Sequence, residues 1–387
     1  MKQRFYSLDV FRGATVCLMI LVNNPGSWAH IYTPLEHAPW HGVTPTDLVF
    51  PFFLFAVGNA MSFVMPKLEA AGDAVFWKKV IKRTALIFLI GLFLNWWPFV
   101  RYNGGHLIFR GWVDSINPDN GVRILGVLQR IALCYFFASL ITYYLKLRKA
   151  FYVGLVLLLL YWLLCVTGNP SDPFSLQGWF GTGIDKKILH IPHMYKGEGI
   201  PFDPEGLVST IAAVVEVIFG YMVGNYIQQK GKSYEMITGL FIGGVAMLVT
   251  GYCWDMAFPI NKKIWTSSYV VYTTGLAMLI LGVLIQRIEF DGKERRWTHF
   301  FTAFGKNPLF IFVFSGVWAR LYGLFRIKDG EVNGKAVFKG LGGWMYDHVF
   351  APLFGAMNGS LAYALAHILF FWLICWWLDR RKIYIRV

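Results

Sequence analysis

Glu36-His37-Ala38-Pro39-Trp40-His41-Gly42-Val43-Thr44-Pro45-Thr46-Asp47-Leu48-Val49-Phe50-Pro51 runs from a polar, histidine-bearing loop straight into a long apolar segment. The segment that starts at Thr46 has the length and apolarity of a transmembrane helix. A histidine and a carboxylate thus stand at the mouth of a membrane span, where ionisable groups are costly unless something pairs or uses them. The stretch sets the fold class and marks a functional site within it.

Composition agrees with a membrane protein. Of 387 residues 56% are hydrophobic and only 15% charged, against about 25% charged in a soluble domain, and the mean hydropathy is +0.49. Sixteen Trp and nineteen Tyr suit a chain whose amphipathic rings sit at the headgroup level. The net charge of +14 is spread in short clusters between apolar runs, which reads as topology signal and not as a nucleic-acid surface. Cys17, Cys134, Cys165, Cys253 and Cys375 all fall inside apolar runs with no metal-site or disulfide spacing, so they are packing residues. The N-terminal apolar run follows Lys2 and Arg4 without a small-residue cleavage site and reads as a span, not as a signal peptide.

Windows of about 20 apolar residues give an all-α polytopic membrane protein with roughly ten transmembrane helices: Tyr6–Asn24, Thr46–Met65, Ile81–Pro98, Ile124–Leu145, Phe151–Val166, Leu207–Ile227, Met236–Trp254, Ser267–Ile285, Phe301–Leu321 and Ser360–Leu378. Alternate connections carry the basic residues: Lys67, Lys78, Lys79, Lys82 and Arg83; Lys146, Arg148 and Lys149; Lys230 and Lys232; Lys293, Arg295 and Arg296; Arg380, Arg381 and Lys382. The positive-inside rule then places both termini in the cytoplasm. The loops 28–43, 101–123, 168–205 and 325–358 face outward, and their Gly, Pro, Trp and Asp content predicts ordered extracytoplasmic backbone.

Several residues are candidates for chemistry. The imidazole of His37 titrates near neutral pH and serves as general base or nucleophile. Asp47 has two compatible readings, a capping-box carboxylate after Thr44-Pro45 and an orienting partner for His37. Asn23 and Asn24 end the first span; they are either ordinary stop residues or ligands to a substrate carbonyl. Arg12 lies three residues from Asp9 within a span, where the two can pair. Gln129 and Arg130 lie inside the fourth span and Glu216 inside the sixth. At that depth an Arg130–Glu216 pair and a ligand phosphate are both open readings. Asn261, Lys262 and Lys263 before the eighth span, and Lys306 and Asn307 before the ninth, add cations and amides at membrane entries, either for topology or for an anion. His30 and His41 near His37 raise a metal site, but their spacing does not support zinc. P-loop, dinucleotide, serine-hydrolase and metal motifs are missing. That leaves simple group transfer from a diffusible activated donor, or transport.

Taken together, the motifs resemble the multipass heparan-α-glucosaminide N-acetyltransferase family and its bacterial relatives. The resemblance is carried by Ser7-Leu8-Asp9-Val10-Phe11-Arg12-Gly13, Val22-Asn23, His37-Ala38-Pro39-Trp40-His41-Gly42, Asp47-Leu48-Val49-Phe50-Pro51, Gly126-Val127-Leu128-Gln129-Arg130, Phe202-Asp203-Pro204-Glu205-Gly206, Asn261-Lys262-Lys263-Ile264-Trp265 and Ser268-Tyr269-Val270. It implies a single integral-membrane acyltransferase domain over 1–387 that moves acetyl from cytoplasmic acetyl-CoA to the amine of a glucosamine-type sugar across the membrane. On that resemblance His37, Asp47 and Asn23 are the catalytic residues, and the donor falls to Arg12, Gln129, Arg130, Asn261, Lys262 and Asn307. No metal is expected. The partners implied are a small-molecule or glycan acceptor and the lipid bilayer, with no nucleic acid; whether the chain forms a homodimer stays open. The expected location is a bacterial inner membrane. The large N-terminal luminal domain of the animal enzymes is not seen here, which argues against heparan as acceptor, and His41 stands where a relative carries Asn. The alternative is an amino-sugar or muropeptide transporter without acyl transfer.

Overall fold

The computed structural model describes residues 5–103, 105–291, 295–332 and 335–385; Lys2, Arg4 and Lys293, used above for topology, lie outside them. The chain folds as α1 (Tyr6–Asn23), α2 (Val49–Ala71), α3 (Asp73–Trp96), α4 (Val127–Gly168), α5 (Gly181–Leu189), α6 (Thr210–Lys230), α7 (Tyr234–Asp255), α8 (Ser267–Ile285), α9 (Arg296–Lys306), α10 (Pro308–Leu324), α11 (Leu341–Met345), α12 (Ala351–Phe354) and α13 (Ala356–Arg380). Two antiparallel hairpins accompany the helices: β1 (Val100–Asn103) with β2 (His106–Phe109), and β3 (Arg326–Val332) with β4 (Lys335–Gly340).

This is an all-α polytopic membrane fold, but the helices do not support ten spans by length and apolarity. Among the described residues seven qualify, or eight if α9 and α10, bent by 77°, form one broken span. Helix α3 carries Lys78, Lys79, Lys82 and Arg83 in its first half, which shortens its apolar remainder below a span. The fourth and fifth expected helices fall within α4, interrupted at Lys146, whose φ of 58° breaks the helical path. The two hairpins formed in loops where only irregular backbone was expected.

Packing follows small residues, as it must where lipid offers no hydrophobic drive between helices. At the α2–α6 crossing, Gly58 meets the Val217 carbonyl and Gly220 meets the Phe55 carbonyl, with no room for a Cβ at either. Gly13 of α1 and Gly305 of α9 meet backbone in the same way. The resulting core around α2, α4, α6 and α8 includes Leu54, Phe202, Val215, Ile264 and Tyr269.

The connections gather at the two ends of the bundle. At one end Trp40 Nε1 donates to the Phe174 carbonyl at 2.7 Å, Gly42 N to the Ile260 carbonyl at 2.7 Å, and Arg123 pairs with Asp203. At the other, Lys306 Nζ pairs with Asp379 at 2.8 Å and Ser7 N donates to Glu289 at 2.9 Å. The His37 loop belongs to the first end.

Candidate active site

Local sequence sets Asp47 before any long-range contact does. Thr44 is extended, Pro45 opens a short 3-10 turn over Pro45–Leu48, and Asp47 in that turn reaches back to the loop. Its Oδ2 accepts from Thr44 N at 3.1 Å, Thr44 Oγ1 at 3.1 Å and Ala38 N at 3.0 Å. The capping and orienting readings of Asp47 therefore coincide. The carboxylate that starts the second span also holds the loop carrying His37.

Oδ1 is left to face His37. His37 Nδ1 lies 2.6 Å from it, and the carboxyl is 2% exposed while the imidazole is 48% exposed. A carboxylate can only accept, so Nδ1 carries the proton and Nε2 keeps its lone pair, a tautomer assigned from the bonding network. Lys262 Nζ stands 3.4 Å from the same Oδ1 and 3.1 Å from His37 Nδ1. Because Nδ1 is itself a donor, the lysine's bond goes to Asp47. Burial pulls the Lys262 ammonium below its ordinary range, and Asp47 and Glu205 pull it back up.

The two halves of this arrangement lie more than 200 residues apart in the sequence. Gly42 and Asn261 form an isolated parallel bridge. Fully buried Asn261 accepts Ile264 N at 3.1 Å on its side-chain oxygen, and its amide nitrogen lies 3.4 Å from His41 Nδ1. Lys263 Nζ donates to the Pro39 carbonyl at 2.8 Å and to Glu198 at 2.7 Å. From below, the buried hydroxyl of Tyr269 donates to the Asp47 carbonyl at 2.5 Å.

The imidazole opens into a cavity of about 200 Å³ whose walls include Trp40, Arg123, Tyr195, Glu205 and Trp265. Arg123 donates through Nε and Nη2 to Asp203 at 3.0 and 2.5 Å, and through Nη2 to Glu205. Burial works against these charges, but Glu205 and Asp203 hold the guanidinium above its usual range. Burial likewise pushes Glu205 up, yet Arg123 and Arg130 keep its carboxyl below the carboxylate range. Beneath the cavity, Arg130 is fully buried with its head 5.2 Å from the Trp265 ring.

The nine expected site residues do not form one cluster. His37, Asp47 and Lys262 meet, and Asn261 braces them. Asn23 and Gln129 line a separate chamber of about 240 Å³ with Asn95, Ser315 and Arg320. Arg130 donates to the Gly206 carbonyl at 3.0 Å and to Ser209. It does not pair with Glu216, whose carboxyl accepts from Thr273 and Thr274. Arg12 pairs with Asp9 at 2.7 Å, eleven residues and so about 16 Å along α1 from Asn23. Asn307 ties down the C-terminal segment, with Nδ2 to the Ile383 carbonyl at 3.1 Å and Oδ1 from Ile385 N at 2.8 Å. Sequence reasoning gave Arg123 and Glu205 no role. The acidic pair inside the Phe202–Gly206 motif was the signal that a cation must stand opposite. Among the described residues no group of three His, Cys, Asp or Glu side chains could hold a metal.

Residues 4–186 match the family described as "Heparan-alpha-glucosaminide N-acetyltransferase, catalytic". The chain resembles that family. It is 26% identical over 383 residues to the heparan-alpha-glucosaminide N-acetyltransferase of Homo sapiens, covering 85% of this chain and 55% of the relative. To the same-named protein of Mus musculus it is 25% identical over 364 residues, covering 80% and 53%. The chain thus spans about half the length of the curated relatives it matches. The family match contains His37, Asp47, Asn23 and Arg123 but ends before Glu205, Asn261 and Lys262, which the fold brings to the same place.

Proposed function

We propose that the chain is a transmembrane acetyltransferase that moves acetyl from cytoplasmic acetyl-CoA to the amine of a glucosamine-type sugar on the opposite side. The reading is carried by one observation: His37 has its Nδ1 proton engaged by the buried Asp47 and its Nε2 lone pair free beside a polar cavity lined by paired cations and carboxylates. The family named in the two relatives supports the reaction class and the acceptor type. In this reading both termini are cytoplasmic and the His37 end of the bundle faces the extracytoplasmic side of a bacterial inner membrane.

Nε2 serves either of two balanced sequences. As nucleophile it attacks the thioester carbon, the C–S bond breaks, the coenzyme leaves as a thiolate that takes up a proton, and the acetyl-imidazole passes its acetyl to the sugar amine. As base it takes the amine proton while the amine attacks the thioester directly; the C–S bond breaks, and the departing thiolate takes that proton back from the imidazolium. Asp47 stabilises the charged imidazole in both, and the N–H groups of Arg123, Lys262 and Lys263, each held by a carboxylate, are the donors that stand nearest for the oxyanion. The amides of Asn23, Asn95 and Gln129 suit the amide-bearing arm of the donor, and Arg12 and Arg130 offer charge to its phosphates. The cavity aromatics Trp40, Tyr195 and Trp265 suit a sugar ring.

His37→Ala is expected to insert and fold normally, because the ring is half exposed, and to lose transfer by several orders of magnitude. Unchanged transfer refutes the reading. Parallel double-reciprocal plots mark the acetyl-imidazole path and intersecting plots direct attack. Transfer by purified protein in detergent also separates the enzyme from the transporter alternative, which needs a sealed vesicle.

A further inference from the structure

Arg123 lines three cavities. It borders the His37 cavity of about 200 Å³, the amide-lined chamber of Asn23 and Gln129 of about 240 Å³, and a hollow of about 320 Å³ beside Arg101, Asp114 and Lys196. Its head is over-determined where it stands. Two carboxylates grip Nε and Nη2, and the Tyr195 ring lies 4.8 Å from the guanidinium carbon.

The two grips differ. Asp203 is fully buried and takes Arg123 in a two-point fork, while the Glu205 side chain is 12% exposed and itself lines the His37 cavity. Breaking the Asp203 pair strands a buried charge, so that end behaves as a hinge. The Glu205 end can be hydrated from the cavity and lies in the field of Lys262, the lysine bonded to Asp47. An arginine that merely pinned the 203–205 loop would have no reason to stand where three cavities meet.

We propose that Arg123, latched by Glu205 and hinged on Asp203, is the gate between the Asn23–Gln129 chamber and the His37 cavity. Latched, it keeps an acyl thioester in the amide chamber away from the imidazole. Released from Glu205, it lets the acyl end reach Nε2. What passes rests on the acetyl-transfer reading above; the existence of the gate does not.

The test therefore begins with a readout that needs no turnover. In the full-length detergent-solubilised protein with Cys253→Ser, which removes the exposed native thiol, Gln129→Cys, at a position buried in the same chamber, is labelled with a water-soluble methanethiosulfonate. The labelling rate is expected to rise severalfold with Glu205→Gln. It should rise at least tenfold with the paired Arg123→Gln/Asp203→Asn change, which neutralises the buried fork and leaves Glu205 in the field of Arg130 and Lys262. The same rate in all three backgrounds overturns the gate, and should the paired variant fail to fold, Glu205→Gln alone decides. Donor hydrolysis with acetyl-CoA alone, taken against transfer measured with glucosamine present, is further expected to rise about tenfold in Glu205→Gln. An equal fall in both assigns Arg123 to loop structure and overturns the proposal. Absent transfer in the parent protein refutes the acetyltransferase reading but leaves the labelling result to judge the gate.

Discussion

Asp47→Asn changes one oxygen to an amide nitrogen, and its consequence can be worked out from the bonds. In the parent, Oδ2 accepts from Ala38 N, Thr44 N and Thr44 Oγ1, and Oδ1 accepts from His37 Nδ1. The asparagine has a single accepting oxygen. Two fixed backbone N–H groups compete for it against one imidazole that can shift its proton, so the oxygen stays with the backbone and the amide N–H₂ turns to His37. Nδ1 must then accept, and the ring proton moves to Nε2, the atom that must attack or take a proton. The same replacement in the serine-protease triad costs about 10⁴ in rate through the wrong tautomer, and a loss of roughly three to four decades is expected here. Stability should fall less. The lost charge leaves Lys262 unmatched, worth about 1.5–3 kcal/mol for a charged hydrogen bond, while the backbone bonds survive. Transfer of labelled acetyl from acetyl-CoA to glucosamine, measured beside thermal unfolding in the same detergent, separates the two effects. A fall of less than tenfold in a folded variant, or a fall that only tracks lost folded protein, refutes the tautomer argument.

Two more outcomes follow from the packing around the site. Asp185 is buried, and burial with nearby Asp203 pushes its carboxyl up to about 7, opposed by Leu207 N and Arg130. The folded state therefore holds a proton that the unfolded state releases near 3.8. That contribution is fully present below this value and is lost as pH rises to about 7, by roughly 4 kcal/mol at most. Asp185→Asn is expected to flatten the decline of the melting temperature between pH 4 and 7, and an unaltered pH profile contradicts the assignment. Gly220→Val places methyl groups against the Phe55 carbonyl at the α2–α6 crossing. Overpacking of about 1–3 kcal/mol or more should appear as a lower midpoint and a smaller monodisperse fraction on size exclusion, and a variant as stable as the parent dismisses the close-contact argument.

Much of this molecule could be read before its coordinates. Apolar runs located the helices because a bilayer leaves backbone few other choices, and Thr44-Pro45-Thr46-Asp47 announced its cap through local bonds alone. The break at Lys146 falls where the sequence divides two apolar runs, between Leu145 and Phe151, whereas the charge in α3 was read as a flank and lies inside the helix. At the site, Lys262 was legible as a cation at a membrane entry, but its attachment to Asp47 depends on the Gly42–Asn261 bridge, a contact with no local signature. Asn23 was grouped with His37 by the family resemblance, yet it lines a neighbouring chamber. Arg123 was missed because an arginine before a span looks like ordinary flanking charge until Asp203 and Glu205 fold against it.

The bridge between Gly42 and Asn261 has a consequence for how the chain can be divided. A fragment that stopped at residue 186 would possess His37 and Asp47 yet lack the lysine, the tyrosine and the strand-like neighbour that hold them in register. Two co-expressed pieces cut in the connection between α6 and α7 would instead each carry half of the constellation. Restored activity from such a split pair would report that docking of the halves, and not either half alone, assembles the site.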